Sequence, residues 1–152
     1  MKLSPEGYKV LHEREGLRLE AYLDTRGILT IGLGHTTAAG PPAVYEGMEI
    51  TEARAEEIFR QDAERFRREV DHATAHLDLE QHEHDALCSF LYNIGSPNFL
   101  GSTVLKRLQA GDKKGAAEAL LWWDKPSEII PRRRGEYEQF LGRGYKARVT
   151  NG

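Results

Sequence analysis

The stretch that decides the fold is EGLRLEAYLDTRGILTIGLGHT, residues 15–36. Leu17, Leu19, Ala21 and Leu23 alternate with Arg18, Glu20 and Tyr22, the period of two that marks a strand. Asp24-Thr25-Arg26-Gly27 follows, with Asp at the first and Gly at the fourth position of a type I turn. Ile28, Thr30 and Gly32 then alternate with Leu29, Ile31 and Leu33 in a returning strand, so the segment predicts a β-hairpin. Upstream, Leu3-Ser4-Pro5-Glu6 reads as a helix start, with Ser4 as cap and Pro5 at the first helical position. Leu3 and Tyr8 have the spacing of a hydrophobic staple. Gly16 reads as a C-terminal stop, which puts Glu15 on the last turn of that helix. Glu15, Asp24 and Thr30 therefore fall on a helix end, a turn and a strand that follow one another directly.

Downstream the pattern becomes helical. Residues 37–50 are loop-rich; Thr51 is a good cap, and Ala55, Ile58, Phe59, Ala63, Phe66 and Val70 keep helical spacing. Asp78 with Gln81 resembles a capping box for a second long helix through LCSFLYN, broken at Gly95-Ser96-Pro97-Asn98. Shorter helices are predicted over 102–110, 113–123 and 132–141, and there is no internal repeat. A short helix, a small sheet and a helical body make an α+β chain with segregated elements. The expected organisation is one domain over residues 1–152, with sublobes of about 1–60 and 61–152. The long helix joins them, the first helix packs on the helical lobe, and a cleft between the lobes is the natural place for a site.

Composition limits the function. The 152 residues are 39% hydrophobic and 30% charged, a globular profile with no apolar run long enough for a membrane helix. The N-terminal MKLSPEGYKVLHEREG lacks the apolar centre and small-residue cleavage site of a signal peptide. Cys88 is the only cysteine, set in an apolar run, which excludes an internal disulfide and fits a buried thiol. Net charge is −3, but residues 1–100 hold 10 Lys+Arg against 18 Asp+Glu, while the remainder holds 11 against 6. Arg132-Arg133-Arg134 could mark a nucleic-acid patch, but a pI near 6.1 and the lack of a recognition motif argue against one. His72 and His76 are four apart, with His82 and His84 following; no third ligand is evident, so no metal and no cofactor are expected. Trp122-Trp123 could stack a sugar ring or pack in the core.

Two carboxylates on separate rigid elements suit glycosidic bond cleavage: one donates a proton to the leaving oxygen, and the other activates water or attacks. Glu15 at the negative end of a helix and Asp24 in a polar turn differ in the required sense. Thr30 carries a hydroxyl able to hold a water against Asp24. Each residue taken singly has an ordinary structural explanation, in the helix end, the turn start and the strand.

The combination E-G-L-R-L, A-Y-x-D-x-x-G and T-I-G-x-G-H-T resembles the phage-type lysozymes, the endolysin muramidases of glycoside hydrolase family 24. Their signature is Glu, eight residues, Asp or Cys, five residues, Thr; Glu15, Asp24 and Thr30 stand at those intervals. The likeness extends through Gly47-Met48-Glu49-Ile50-Thr51, Arg60-Gln61-Asp62, Leu91-Tyr92-Asn93-Ile94-Gly95 and Pro131-Arg132-Arg133-Arg134-Gly135-Glu136. The resemblance implies a lysozyme-like fold with Glu15 as general acid, Asp24 as the residue that positions or deprotonates water, and Thr30 as its orienter. It implies that His35 pairs with Asp62 rather than acting in catalysis. Arg133 matches a position that reaches the glutamate, where a cation opposes the helix-end effect; the residues leave open which prevails. Thr36 and Tyr92 are candidates for the cleft wall. The loops 37–47 and 124–130 align poorly, so saccharide contacts there are undefined.

The implied activity is hydrolysis of the β-1,4 bond between N-acetylmuramic acid and N-acetylglucosamine, with inversion, for host-cell lysis by a phage or prophage. The implied partner is the peptidoglycan glycan strand, met by a monomer without stable membrane insertion. Synthesis in the host cytoplasm and action in the periplasm would require a membrane pore protein (a holin). Two rivals stand beside this reading: a housekeeping, effector or chitin-type glycosidase, and a catalytically dead wall-binding module. The intact Glu15, Asp24 and Thr30 argue against the module.

Overall fold

The structure, a computed structural model, describes residues 1–150. Among them, seven α-helices and one three-stranded antiparallel sheet form an α+β fold. The chain divides into two compact units, one of Met1–Arg14 with the chain from Phe66 onward, the other Glu15–Arg65. The boundary thus lies a few residues past the one expected from sequence, and the first helix belongs to the helical unit.

In the smaller unit, β1 (Leu17–Leu23) pairs with β2 (Leu29–Leu33), which pairs with the short β3 (His35–Thr36). The β1–β2 register runs Leu17 to Leu33 and Arg18 to Gly32, then resumes at Tyr22 to Thr30 and Leu23 to Leu29. The irregularity between Arg18 and Tyr22 is filled from the other edge of β1. There Ala21 N–H donates to the Met48 carbonyl at 2.9 Å, and Ile50 N–H donates to the Leu19 carbonyl at 2.9 Å. The interior of this unit is small: Ile31, Val44 and Met48 are buried, with Ala21, Leu29 and Ile50 packed on them. Leu17, Leu19 and Leu23 are exposed.

In the larger unit, α1 (Pro5–Arg14) is capped by Ser4, whose hydroxyl accepts from Gly7 N–H at 2.9 Å. α2 (Glu52–Ala73) starts in the smaller unit and ends in the larger; its 22 residues span about 33 Å. α3 (Gln81–Ile94) is buried along nearly its whole length, as an apolar helix must be. Its capping box is Glu80 with Glu83, not Asp78 with Gln81. A side chain can reach only three residues along the first turn, and the helix opens at Gln81. Around α3 lie α4 (Ser96–Leu100), α5 (Thr103–Gln109), α6 (Lys113–Leu120) and α7 (Ile130–Phe140). The segment read as a break at Gly95 is a break followed at once by α4, because Pro97 falls in a first turn, where its missing N–H costs nothing. α6 ends at Leu120, short of the predicted 123; Trp123 meets Phe90 edge-on at 5.8 Å while Trp122 stays exposed. Cys88 is buried on α3, and burial pushes its thiol well above the ordinary range.

Two buried carboxylates organise the helical unit. Asp85 accepts from Ser4 N–H at 3.1 Å, Gln81 Nε2 at 2.8 Å and the Tyr145 hydroxyl at 2.8 Å, and also from the Ser4 hydroxyl. Burial works against its charge, but these donors and His84 hold it below the usual carboxylate range. Glu136, fully buried, meets Arg133 at 2.6 Å, Arg132 at 3.2 Å and the Ser89 hydroxyl at 2.6 Å. Burial opposes its charge as well, and Arg133, Arg132 and Arg14 outweigh it.

The C-terminal stretch lies across α7 at Gly135. A Cβ there would stand 2.5 Å from the Lys146 carbonyl oxygen and 2.8 Å from that of Ala147, both backbone atoms. Gly135→Ala is therefore expected to lower unfolding free energy by about 1–3 kcal/mol in urea titration. Unchanged stability would show that the stretch yields easily.

Candidate active site

Glu15 follows α1 directly: the helix ends at Arg14, one residue earlier than the sequence predicts. Arg14 is where the helix is tied. Its guanidinium donates to Gln139 Oε1 at 2.6 Å, Ser89 Oγ at 3.0 Å, and the carbonyls of Lys146 at 2.6 Å and Ala147 at 3.2 Å. Burial, with the neighbouring Arg132 and Arg133 outweighing part of the Glu136 attraction, lowers Arg14 to about 10. The residue before Glu15 is thus fixed by four hydrogen bonds within its own unit.

Asp24 closes the hairpin. Its Oδ1 accepts two backbone N–H groups, Arg26 at 2.8 Å and Ile28 at 2.9 Å. Gly27 N–H donates to the Asp24 carbonyl at 2.9 Å, and Gly27 has φ +76°, a left-handed conformation that glycine adopts without steric cost. One carboxylate oxygen is thereby spent on the turn. Among the described residues the other, Oδ2, has only the Arg26 guanidinium at 3.9 Å, and the Arg26 side chain is 59% exposed.

Thr30 stands opposite Tyr22 on one side and Thr36 on the other, so Tyr22, Thr30 and Thr36 form a row across the sheet. Directly opposed residues share a face. Thr30 is buried, and its hydroxyl donates to the Ile28 carbonyl at 2.9 Å. With its proton committed, the oxygen is left as an acceptor. His35 pairs with Ile31, so the pleat puts it on the other face from Thr30. There its Nδ1 lies 2.6 Å from Asp62 Oδ2, and its Nε2 lies 2.8 Å from the Pro42 carbonyl oxygen. His35 and Asp62 are both fully buried, and Arg65 lies 3.3 Å from Asp62 Oδ1.

Arg133 is buried, bound to Glu136 and to Asn93 Oδ1. Tyr92 is 7% exposed, with its ring edge-on to Phe66 at 5.5 Å. Reading the residues in sequence did not single out Tyr22 and Arg18. The Arg18 guanidinium lies 4.2 Å from the Tyr22 ring centroid, a cation–π pair. Burial, then the charges of Glu15 and Asp24 against that of Arg18, hold the Tyr22 phenol above its ordinary value, as a donor. The four-residue spacing on β1 gave no strand-level signal for this stack; the bulge creates it. Glu136 was also missed, although Arg132 and Arg133 precede it by four and three residues, the helical ion-pair spacing. No three His, Cys, Asp or Glu among the described residues converge as metal ligands would. His84 is instead bound to Asp71 at 2.9 Å, and His82 to the Phe140 carbonyl at 2.9 Å.

The family model described as phage lysozyme matches residues 12–136, which takes in the hairpin, the long helix and most of the helical unit. An endolysin of Salmonella phage P22 is 40% identical over 145 residues, covering 93% of this chain and 99% of that protein. Among solved structures, an endolysin from the Escherichia coli O157:H7 phage FAHEc1 superposes with a TM-score of 0.81 at 40% identity, covering 96% of this chain and 97% of that one. The muramidase domain of SpmX from Asticaccaulis excentricus does so with 0.78 at 32% identity, covering 92% and 97%. The chain belongs to the phage lysozyme family; it is a glycoside hydrolase, a lysozyme of the endolysin kind that cleaves peptidoglycan.

The His35–Asp62 pair yields a signed prediction. Burial disfavours the imidazolium, but the hydrogen bonds to Asp62 and Pro42 and the Asp62 charge together raise His35 above its ordinary value. Its contribution to stability is therefore complete below the unfolded value of about 6.5 and is lost as pH rises through the folded one. His35→Asn is expected to cost about 2–4 kcal/mol at about pH 5.5 and less at about pH 9. Paired chemical-denaturation curves would measure this, and a penalty that grows with pH would contradict the charged-pair assignment.

Proposed function

We propose that Glu15, Asp24 and Thr30 perform the hydrolysis, and that the bond cut is the β-1,4 linkage between N-acetylmuramic acid and N-acetylglucosamine. The observation that carries this reading is the division of labour at the turn. Asp24 Oδ1 is consumed by two backbone N–H groups, and the Thr30 proton is consumed by the Ile28 carbonyl. What remains is a carboxylate oxygen and a hydroxyl oxygen, both acceptors. A water held by the two donates one hydrogen to each and turns its lone pair away from them, toward an anomeric carbon. Asp24 takes the proton as the oxygen attacks. Glu15, protonated, gives its proton to the departing glycosidic oxygen, so the pair ends with its protons exchanged. A single displacement through a water inverts the anomeric centre.

The other assignments follow from the same reading. Thr36, in the row with Thr30, contacts saccharide, and Tyr92 is the second candidate for substrate binding. His35 and Asp62 are structural, holding β3 to α2. Arg133 influences the proton affinity of Glu15. The whole of residues 1–152 acts as one catalytic domain and as a monomer. Its setting is phage or prophage lysis of a host cell: made in the host cytoplasm, it meets the wall after a holin opens the membrane. No helix among the described residues is long and apolar enough to cross a membrane.

Turbidity loss of permeabilised Gram-negative cell walls tests the assignment. Glu15→Gln and Asp24→Asn should each lower the rate by about 100-fold or more, and Thr30→Ala by about 10-fold or more, with folding retained. Full activity in Glu15→Gln would remove it as the acid. Wall binding without hydrolysis by the native chain would support the binding-module alternative. For stereochemistry, proton NMR of the first product should show the α-anomer. An initial β-anomer would mean retention.

A further inference from the structure

α7 opens with three consecutive arginines, and they differ. Arg132 and Arg133 are buried and bound to Glu136. Arg134 is half-buried and lines a cavity of about 190 Å³ with Leu121, Asp124, Ile130 and Arg133. Among the described residues, the Arg134 side chain makes no hydrogen bond or ion pair, and neither does that of the half-buried Asp124 on the facing loop. One cavity therefore holds a guanidinium and a carboxylate that do not neutralise each other. A partly desolvated charge without a partner is costly, so this arrangement suits a ligand that brings both opposite charges. A neutral saccharide brings neither.

We propose that this cavity binds the zwitterionic end of a diamino acid in the peptide branch of peptidoglycan. Its carboxylate docks on the Arg134 fork, which suits planar bidentate recognition. Its ammonium docks on Asp124, and its methylenes lie against Leu121 and Ile130. Arg133, also in the lining, is already paired with Glu136, so Arg134 and Asp124 are the charges the cavity offers a ligand. The proposal rests on the reading of the chain as a peptidoglycan hydrolase, and it makes Arg134 and Asp124 determinants of substrate specificity.

The direct test is calorimetric titration of the full chain with the free tetrapeptide of meso-diaminopimelate-type walls. The N-terminal amine, an amide in the wall, is acetylated in both arms, and in the second arm the amine of the diamino acid is acetylated as well. Binding by the native chain should weaken about tenfold or more on this second acetylation and in Arg134→Gln or Asp124→Asn, since each removes one charge-assisted pair. Because neither side chain is hydrogen-bonded, melting temperature checks that the variants stay folded. No peptide binding, or equal binding of the doubly acetylated form, overturns the proposal. A second measurement compares hydrolysis of peptide-bearing and peptide-stripped glycan strands. In Arg134→Gln the ratio of the two rates should fall several-fold, and an unchanged ratio contradicts the proposal. If the native chain cuts neither substrate, the hydrolase reading fails, while the titration still decides whether the cavity takes the zwitterion.

Discussion

The constraint on which the smaller unit depends is the pair of backbone N–H groups that Asp24 holds with a single carboxylate oxygen. That one oxygen sets where β1 stops and where β2 begins, and hence the register that puts Tyr22 across from Thr30. It also orients the second oxygen, because a carboxylate is planar and its two oxygens cannot turn independently. Folding and chemistry share one side chain here. The turn fixes the carboxylate to within hydrogen-bond geometry, the kind of precision that loops seldom supply and that a reacting group needs.

The helical unit rests on a different economy. Three guanidiniums, Arg14, Arg132 and Arg133, surround the single carboxylate of Glu136, all four side chains nearly or wholly out of water. Buried ion pairs are poor sources of stability against apolar packing, but they tolerate few alternative arrangements. Each guanidinium finds carbonyl or side-chain oxygens beyond the carboxylate: Arg132 the Ser89 carbonyl, Arg14 those of Lys146 and Ala147. α1, α3, α7 and the C-terminal stretch meet at this one cluster. Its contribution is to make their packing unique.

Much of the architecture could be read from the chain. Period-two alternation and the Asp24–Gly27 turn marked the hairpin, and helical spacing from Thr51 marked the long helix, since both are local signals. What escaped was non-local or depended on a single residue. The cap of α3 shifted from Asp78 to Glu80 because two competing caps lie within three residues, and only packing chooses between them. α4 was hidden by a proline that reads as a breaker but serves as a first-turn residue. At the site, Glu15, Asp24 and Thr30 had ordinary local explanations, and their combination became a hypothesis only through spacing and family likeness. The contact between His35 and Asp62, twenty-seven residues apart, has no local signature; the family likeness alone pointed to it, and the structure shows it. The cation–π stack of Arg18 on Tyr22 depends on an irregularity in strand pairing that side-chain patterns do not encode.

Cys88 has a consequence that concerns the environment rather than the fold. The chain contains one thiol, fully enclosed on α3 and kept protonated by its surroundings. Thiolate is the species that oxidants and disulfides attack, and access is the other requirement. Both are denied. Cys88 therefore has no thiol–disulfide state to gain or lose: it forms no mixed disulfide and stays a thiol in a reducing or an oxidising compartment.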